Sequence, residues 1–284
     1  MSSTGSVPRE EEIQVAGVRT RYLEAGSGRP VVFVHGFGAS GAYWRWTLRA
    51  LPPGFRGIAP DLLGHGESGL PSARYDVSCY EDFLVSFLNA LELDQVVLVG
   101  NSMGGLLAVR LAMDHPSRVE RLVLCDSAGL NRGLPWSTRL LYLRGFLKGL
   151  FRAPSRESAR EWLAEATFYD SWRITEEFLQ VSAGSRPTFA ARLVRIKTGL
   201  GLLRREAALL DRLGEIGAPT LLVWGANDPQ FPVSDAYEAA KRIPRCRVEI
   251  IDRCGHIPMV EKPEAFNRIL AQFLWQGFPG ADPK

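Results

Sequence analysis

The chain has 284 residues, of which 46% are hydrophobic and 23% charged, with a formal net charge of +3. That is enough chain to bury one large core, or a core with an insertion, and the balance excludes disordered, fibrous and collagen-like classes. The longest uncharged apolar runs, 96–99 and 221–224, are strand-length, far short of the roughly 20 residues that span a bilayer.

Residues 1–12 are polar and acidic, without the apolar stretch of a signal peptide, which reads as a cytoplasmic protein. Short apolar runs at 13–15, 19–23 and 31–34 predict the first three strands, followed by a helix over 42–51 and a strand over 57–59. A helix over 78–91, a strand over 96–99, a helix over 102–114 and a strand over 119–124 continue the alternation. It resumes with a strand over 220–224, a helix over 233–242, a strand over 247–251 and a helix over 263–276, where Pro263 suits a first helical position. Eight strands alternating with helices predict an α/β fold with a mostly parallel sheet.

Between 130 and 205 the strand-like runs stop, and helix-like patterns are punctuated by Pro135, Pro154, Gly184 and Pro187. This predicts a helical cap at 130–205 inserted between strands six and seven of a core formed by 1–129 and 206–284. The segment carries 14 Lys and Arg against 6 Asp and Glu, or +8, which leaves −5 elsewhere. No nucleic-acid-binding motif accompanies that charge, so a nucleic-acid partner is not expected. Within it, 138–152 groups Leu140, Leu143, Leu147, Leu150 and Phe151 and sets Arg144, Lys148 and Arg152 in a separate stripe. Such a helix suits either an apolar face packed over a substrate cavity or weak contact with an anionic membrane surface.

The four cysteines, at 79, 125, 246 and 254, form no Cys-x-x-Cys pair, and no metal site or redox motif is expected of them. An extended run separates Cys246 from Cys254 by roughly 20 Å, so reduced thiols are expected.

Gly100-Asn101-Ser102-Met103-Gly104 follows the run 95–99 and precedes a helix-like stretch. The arrangement reads as a nucleophile elbow, a sharp strand-to-helix turn that exposes the serine hydroxyl. Serine needs a base, and the base needs an acid to orient it. Among four histidines, His256 in Cys254-Gly255-His256 follows the last predicted strand and would emerge at the same sheet edge as Ser102. His35 and His65 read as supports of their own turns, and His115 as a cap or a solvated residue. For the acid, Asp228 in Gly225-Ala226-Asn227-Asp228 gives the order serine, acid, histidine. Asp126, directly after the sixth strand, is its rival, whereas Asp252 suits a turn. Donors for a developing oxyanion are the backbone N–H groups of Met103 and of Phe37 in His35-Gly36-Phe37-Gly38.

These two segments, with Asp61-Leu62-Leu63-Gly64-His65-Gly66-Glu67-Ser68, Gly225-Ala226-Asn227-Asp228 and Gly255-His256, resemble the α/β-hydrolase superfamily in order and separation. The resemblance implies an eight-stranded sheet with a helical cap, a cofactor-free Ser102–Asp228–His256 triad and water as acyl acceptor. A serine rather than a carboxylate at the elbow argues against dehalogenase and epoxide-hydrolase chemistry. The elbow is similar to that of meta-cleavage product hydrolases, which cut carbon–carbon bonds in vinylogous diketo acids. The chain departs from them at Ile257, where they usually carry Trp, and at Ala39-Ser40 in place of Pro-Gly.

The expectation is therefore a serine carboxylesterase for small to medium apolar acyl esters, its pocket lined by Trp136, Phe231 and Ile257 together with Phe37 and Met103. The alternatives are a carbon–carbon bond hydrolase, with Arg186, Arg192 or Arg195 on the substrate carboxylate, and a monoacylglycerol lipase. A non-catalytic binding member of the fold is the reading that the triad argues against. Oligomeric state is not read from the sequence.

Overall fold

The computed structural model describes residues 7–131, 136, 138–141, 143–144, 155–183, 188–202 and 209–276. Its eight strands are β1 (Arg9–Val15), β2 (Val18–Gly26), β3 (Arg29–Val34), β4 (Phe55–Pro60), β5 (Val96–Asn101), β6 (Val119–Cys125), β7 (Thr220–Gly225) and β8 (Cys246–Ile251). They form one sheet in the order β1-β2-β4-β3-β5-β6-β7-β8. Only the β1–β2 and β2–β4 pairs are antiparallel.

The predicted α/β fold is therefore present, and the central strands β3, β5 and β7 show why such sequences are near-continuous apolar runs. Both faces of the sheet are covered, so both sets of alternating side chains are buried. Val32, Val34, Leu98, Leu122, Leu124 and Leu222 belong to one core. Val31, Phe33, Val97, Val99, Val123 and Leu221 belong to the other. The first core is covered by α2 (Val77–Ala90), α3 (Met103–Asp114) and α7 (Val233–Ala240). The second is covered by α1 (Arg45–Arg49) and by α9 (Pro263–Gln276), which contributes Phe266, Leu270 and Phe273.

Two elements differ from the sequence reading. β1 begins four residues earlier than the apolar pattern predicts, because Glu10, Glu11 and Glu12 lie on an edge strand where burial is not required. Glu10 and Glu12 pair with Arg21 and Arg19 of β2. The helix expected over 42–51 is a 3-10 turn, Gly41–Trp44, followed by the single short helix α1. Asp61 fixes that start by accepting the Gly41 N–H at 2.7 Å.

Between β6 and β7 the described residues contain the helices α4 (Arg156–Ala166), α5 (Glu176–Ala183) and α6 (Phe189–Leu202), and no strand. Ser155 starts α4, its Oγ accepting from Ser158 N at 3.1 Å. Of the helix predicted over 138–152, residues 138–141, 143 and 144 are described, and they are helical. Leu147, Lys148, Leu150, Phe151 and Arg152 lie outside the described residues. The four cysteines are free thiols. Among the described residues no helix is long and apolar enough to cross a membrane.

Candidate active site

β5 ends at Asn101 and α3 begins at Met103, which leaves Ser102 as the whole of the turn between them, with φ 54° and ψ −118°. A non-glycine residue there is strained by about 1–3 kcal/mol, and the main chain around it holds it in place. Ser102 N–H donates to Cys125 O (3.1 Å), and Ser102 O accepts from Gly105, Leu106 and Ala128 (2.9, 3.1 and 3.1 Å). The flanking glycines are a packing requirement: a Cβ at Gly100 would overlap Gly104 O, and one at Gly104 would overlap Val34 O.

The loop after β3 lies directly on the Ser102 turn, since a Cβ on Gly36 would sit 3.1 Å from Ser102 Cβ. Phe37 follows in that loop, and its ring tip lies beside Gly199 of α6. Met103 opens α3, so its N–H has no acceptor within the helix. Both expected oxyanion donors thus belong to segments that meet at Ser102.

His256 Nδ1 donates to Asp228 Oδ2 at 2.8 Å, with the two side chains 5% and 0% exposed. This bond fixes the proton on Nδ1 and leaves Nε2 as the ring's basic atom. Asp228 Oδ1 accepts from Gln230 N (2.7 Å), which orients the carboxylate. The histidine main chain is also held, its N–H donating to Thr167 O at 2.7 Å. Asn101 Nδ2, next to Ser102, donates to both His256 O and Cys125 O at 3.1 Å. Serine turn and histidine loop are therefore stitched together by one buried amide.

Of the two acids weighed from the sequence, Asp228 is the one bonded to His256. Asp126 lies behind it, Oδ1 accepting from Gly225 N at 2.9 Å. One donor atom each from Asp126, Asp228 and His256 lie within 4.8 Å of one another, a spacing that also meets the demands of a cation site. A cation there would have to break the His256–Asp228 bond.

The other histidines are structural. His35 Nε2 accepts from Leu62 N (3.0 Å), so its Nδ1 carries the proton and donates to Gly36 O (2.7 Å). Burial holds its pKa down to about 4, and that of His65 to about 3, so both are neutral near pH 7. His65 Nδ1 donates to Leu63 O at 3.0 Å. His115 is half-buried, its ring 3.9 Å from Glu81.

Sequence reasoning missed Glu261. It is buried in α8 (Pro258–Glu261), and its carboxylate accepts from Gly255 N (2.7 Å), Asp170 N (2.7 Å) and Tyr169 N (3.1 Å). One side chain thus ties the residue before His256 to the segment between β6 and β7. Glu261→Ala leaves one buried and two half-buried N–H groups without that acceptor and is expected to lose about 3 kcal/mol. Urea unfolding checks this, and a loss below about 1 kcal/mol would show that water replaces the carboxylate.

Of the expected pocket residues, Phe231 and Ile257 are buried, and the Phe231 ring centre lies 5.5 Å from that of His256. Trp136 does not join them and is 77% exposed. The reason is Thr138, which is buried and donates to Gln230 O, turning the position two residues earlier outward. Leu140 and Leu143, at i+4 and i+7 from Trp136, are also 46% and 53% exposed, so this apolar row faces solvent instead of packing over a cavity. Arg144 is paired with Glu165 at 3.0 Å. Arg186 lies outside the described residues and Arg192 is exposed, whereas Arg195 of α6 is half-buried in a cleft with Gly38, Ala39, His65 and Leu70.

Comparison with known proteins places this geometry. Residues 29–263 match the family described as alpha/beta hydrolase fold. A 2-hydroxymuconate semialdehyde hydrolase of Pseudomonas sp. (strain CF600) is 34% identical, the match covering 93% of each chain. A 2-hydroxy-6-oxo-6-(2'-aminophenyl)hexa-2,4-dienoic acid hydrolase of Metapseudomonas resinovorans is 31% identical, over 93% of this chain and 90% of that one. Among solved structures, a bacterial membrane phospholipase A is 32% identical with a TM-score of 0.83, over 94% of this chain and 86% of that one. The chain belongs to the α/β-hydrolase family and is a hydrolase of that fold.

Proposed function

We propose that the protein is a serine carboxylesterase for small to medium apolar acyl groups. The observation that carries this reading is the apolar enclosure of the reacting groups, with Phe231 and Ile257 at His256 and Met103 buried at Ser102. Such walls favour an uncharged acyl chain and leave orientation to a few polar groups.

In this mechanism His256 Nε2 takes the Ser102 Oγ proton as the oxygen attacks the ester carbonyl. Asp228 stabilises the resulting imidazolium through the Nδ1 bond. The N–H groups of Phe37 and Met103 receive the negative oxygen of the tetrahedral intermediate. Collapse expels the alcohol, protonated by His256, and leaves an acyl group on Ser102. Water then attacks the acyl carbonyl, His256 takes its proton, and carboxylic acid and free serine are restored. No cofactor enters any step.

A second reading, carbon–carbon bond hydrolysis of a dienoate, is favoured by the 34% and 31% identical relatives, whose names give them such substrates. In this chain Arg195, beside Gly38 of the Phe37 loop, is the residue to hold the substrate carboxylate. Steady-state turnover of p-nitrophenyl esters of increasing acyl length and of a meta-cleavage dienoate, each against Ser102→Ala, separates the two. The ester reading expects the higher kcat/KM on a short or medium ester. Preference for the dienoate, with KM raised about tenfold or more by Arg195→Gln, promotes the second reading. Equal rates for wild type and Ser102→Ala on both classes defeat both.

A further inference from the structure

The reacting groups rest on a second acid. Asp126 directly follows the strand next to the nucleophile's own and is fully buried, with φ 43°, a left-handed backbone that a non-glycine residue adopts only when its surroundings hold it there. Its own N–H donates to Val223 O at 3.1 Å, and its Oδ1 takes the N–H of Gly225, three residues before Asp228. On the other side Cys125 Sγ donates to Oδ2 at 3.4 Å. Asp126, Asp228 and His256 then meet within 4.8 Å. Two carboxyl groups sharing one buried site favour a state in which one of them keeps its proton.

The geometry decides which one. Asp228 faces a backbone N–H and the histidine N–H, both of which favour a charged carboxylate. Asp126 has one backbone N–H and a weak thiol donor, and among the described residues no lysine or arginine pairs with it. The titratable groups around it are Asp228 and His256 from the loops after β7 and β8, and the thiols of Cys125 and Cys254. Burial raises both thiols far above neutral pH. Burial, and then the Asp228 charge, push the Asp126 carboxyl well above the usual carboxylate range.

We infer that Asp126 is a positioning residue that carries a proton at neutral pH and donates it in a hydrogen bond to Asp228, holding the Asp228 carboxylate toward His256. This rests on the Ser102–Asp228–His256 reading. Asparagine at 126 reproduces the protonated acid: Oδ1 still accepts from Gly225, Nδ2 donates to Asp228, and asparagine tolerates positive φ.

The experiment is NMR titration of the His256 ring in wild type, Asp126→Asn and Asp126→Ala, with kcat and KM on the ester found to be the best substrate. Asp126→Asn is expected to leave the His256 midpoint unchanged and kcat within about threefold. Asp126→Ala removes a donor from Asp228, concentrates negative charge there and moves the midpoint upward, with kcat about 10- to 100-fold lower at similar KM. A downward shift in both variants means that Asp126 carries a charge, and overturns the inference. No shift in either means a purely structural residue, and also overturns it.

If Asp126→Ala does not fold, Asp126→Asn still decides through stability. An acid whose folded pKa is raised keeps a proton that the unfolded chain releases above 3.8, so wild type loses stability relative to the asparagine variant as pH rises from there toward the folded pKa. A difference that is flat or falls with pH overturns the inference. Because the ring titration needs no substrate, failure of the esterase reading is distinguishable from failure of this one.

Discussion

Ser102→Ala is expected to lower kcat/KM by about 10⁴-fold or more, with unfolding midpoint nearly unchanged. The magnitude follows from what the serine does: without Oγ no acyl-enzyme forms, and only the oxyanion donors and substrate binding remain to assist a direct attack by water. The fold survives because the turn is held by main-chain bonds from Cys125, Gly105, Leu106 and Ala128, none of which uses the side chain. Alanine keeps the strained φ of 54°, whereas Ser102→Gly relieves it. Ser102→Gly should therefore be more stable than Ser102→Ala by about 1 kcal/mol, even after the entropy that glycine loses on folding. Parallel urea unfolding of the two variants checks this; equal stabilities would mean that the turn holds no strain.

Gly104→Ala is expected to lower stability by about 4 kcal/mol or more. Glycine sits here in an ordinary helical position, so the added methyl would by propensity alone stabilise the protein by up to about 1 kcal/mol. What reverses the sign is contact with backbone: the new Cβ would overlap Val34 O and crowd His35 O at the end of β3. Backbone atoms in the middle of a sheet do not move aside as a flexible side chain does. To admit the methyl, α3 must lift from β3, which pulls Ser102 from the Phe37 loop. Activity should fall even where the variant folds. Near-wild-type stability in thermal and urea unfolding would show that the strand-to-helix packing is looser than the distances require.

Much of this arrangement is visible in the sequence because it rests on local patterns. The buried strands β3, β5 and β7 and the second half of β6 read as apolar runs, and the candidate reacting side chains lie just beyond strand ends, where chain order is informative. The parts that stayed hidden depend on contacts distant in sequence. Nothing near Glu261, in Val260-Glu261-Lys262, distinguishes it from a solvated glutamate. Its burial follows from Gly255 on one side and residues 169–170 on the other. The choice of Asp228 over Asp126, by contrast, is legible in chain order, and the loop after β7 is the one that reaches the histidine. Trp136 suits an apolar pocket by residue type, but Thr138 sets the facing of that stretch. The charged start of β1 gave no apolar signal because an edge strand needs none.

The central claim is that Ser102 forms a covalent acyl intermediate, and intact-mass measurement after acid quench tests it directly. Wild-type protein mixed with excess p-nitrophenyl butyrate should gain the mass of one butyryl group per chain. Peptide mapping should locate it on Ser102, and Ser102→Ala should gain none. Turnover of the ester with the adduct on another residue, or with an undiminished rate in Ser102→Ala, would contradict the account.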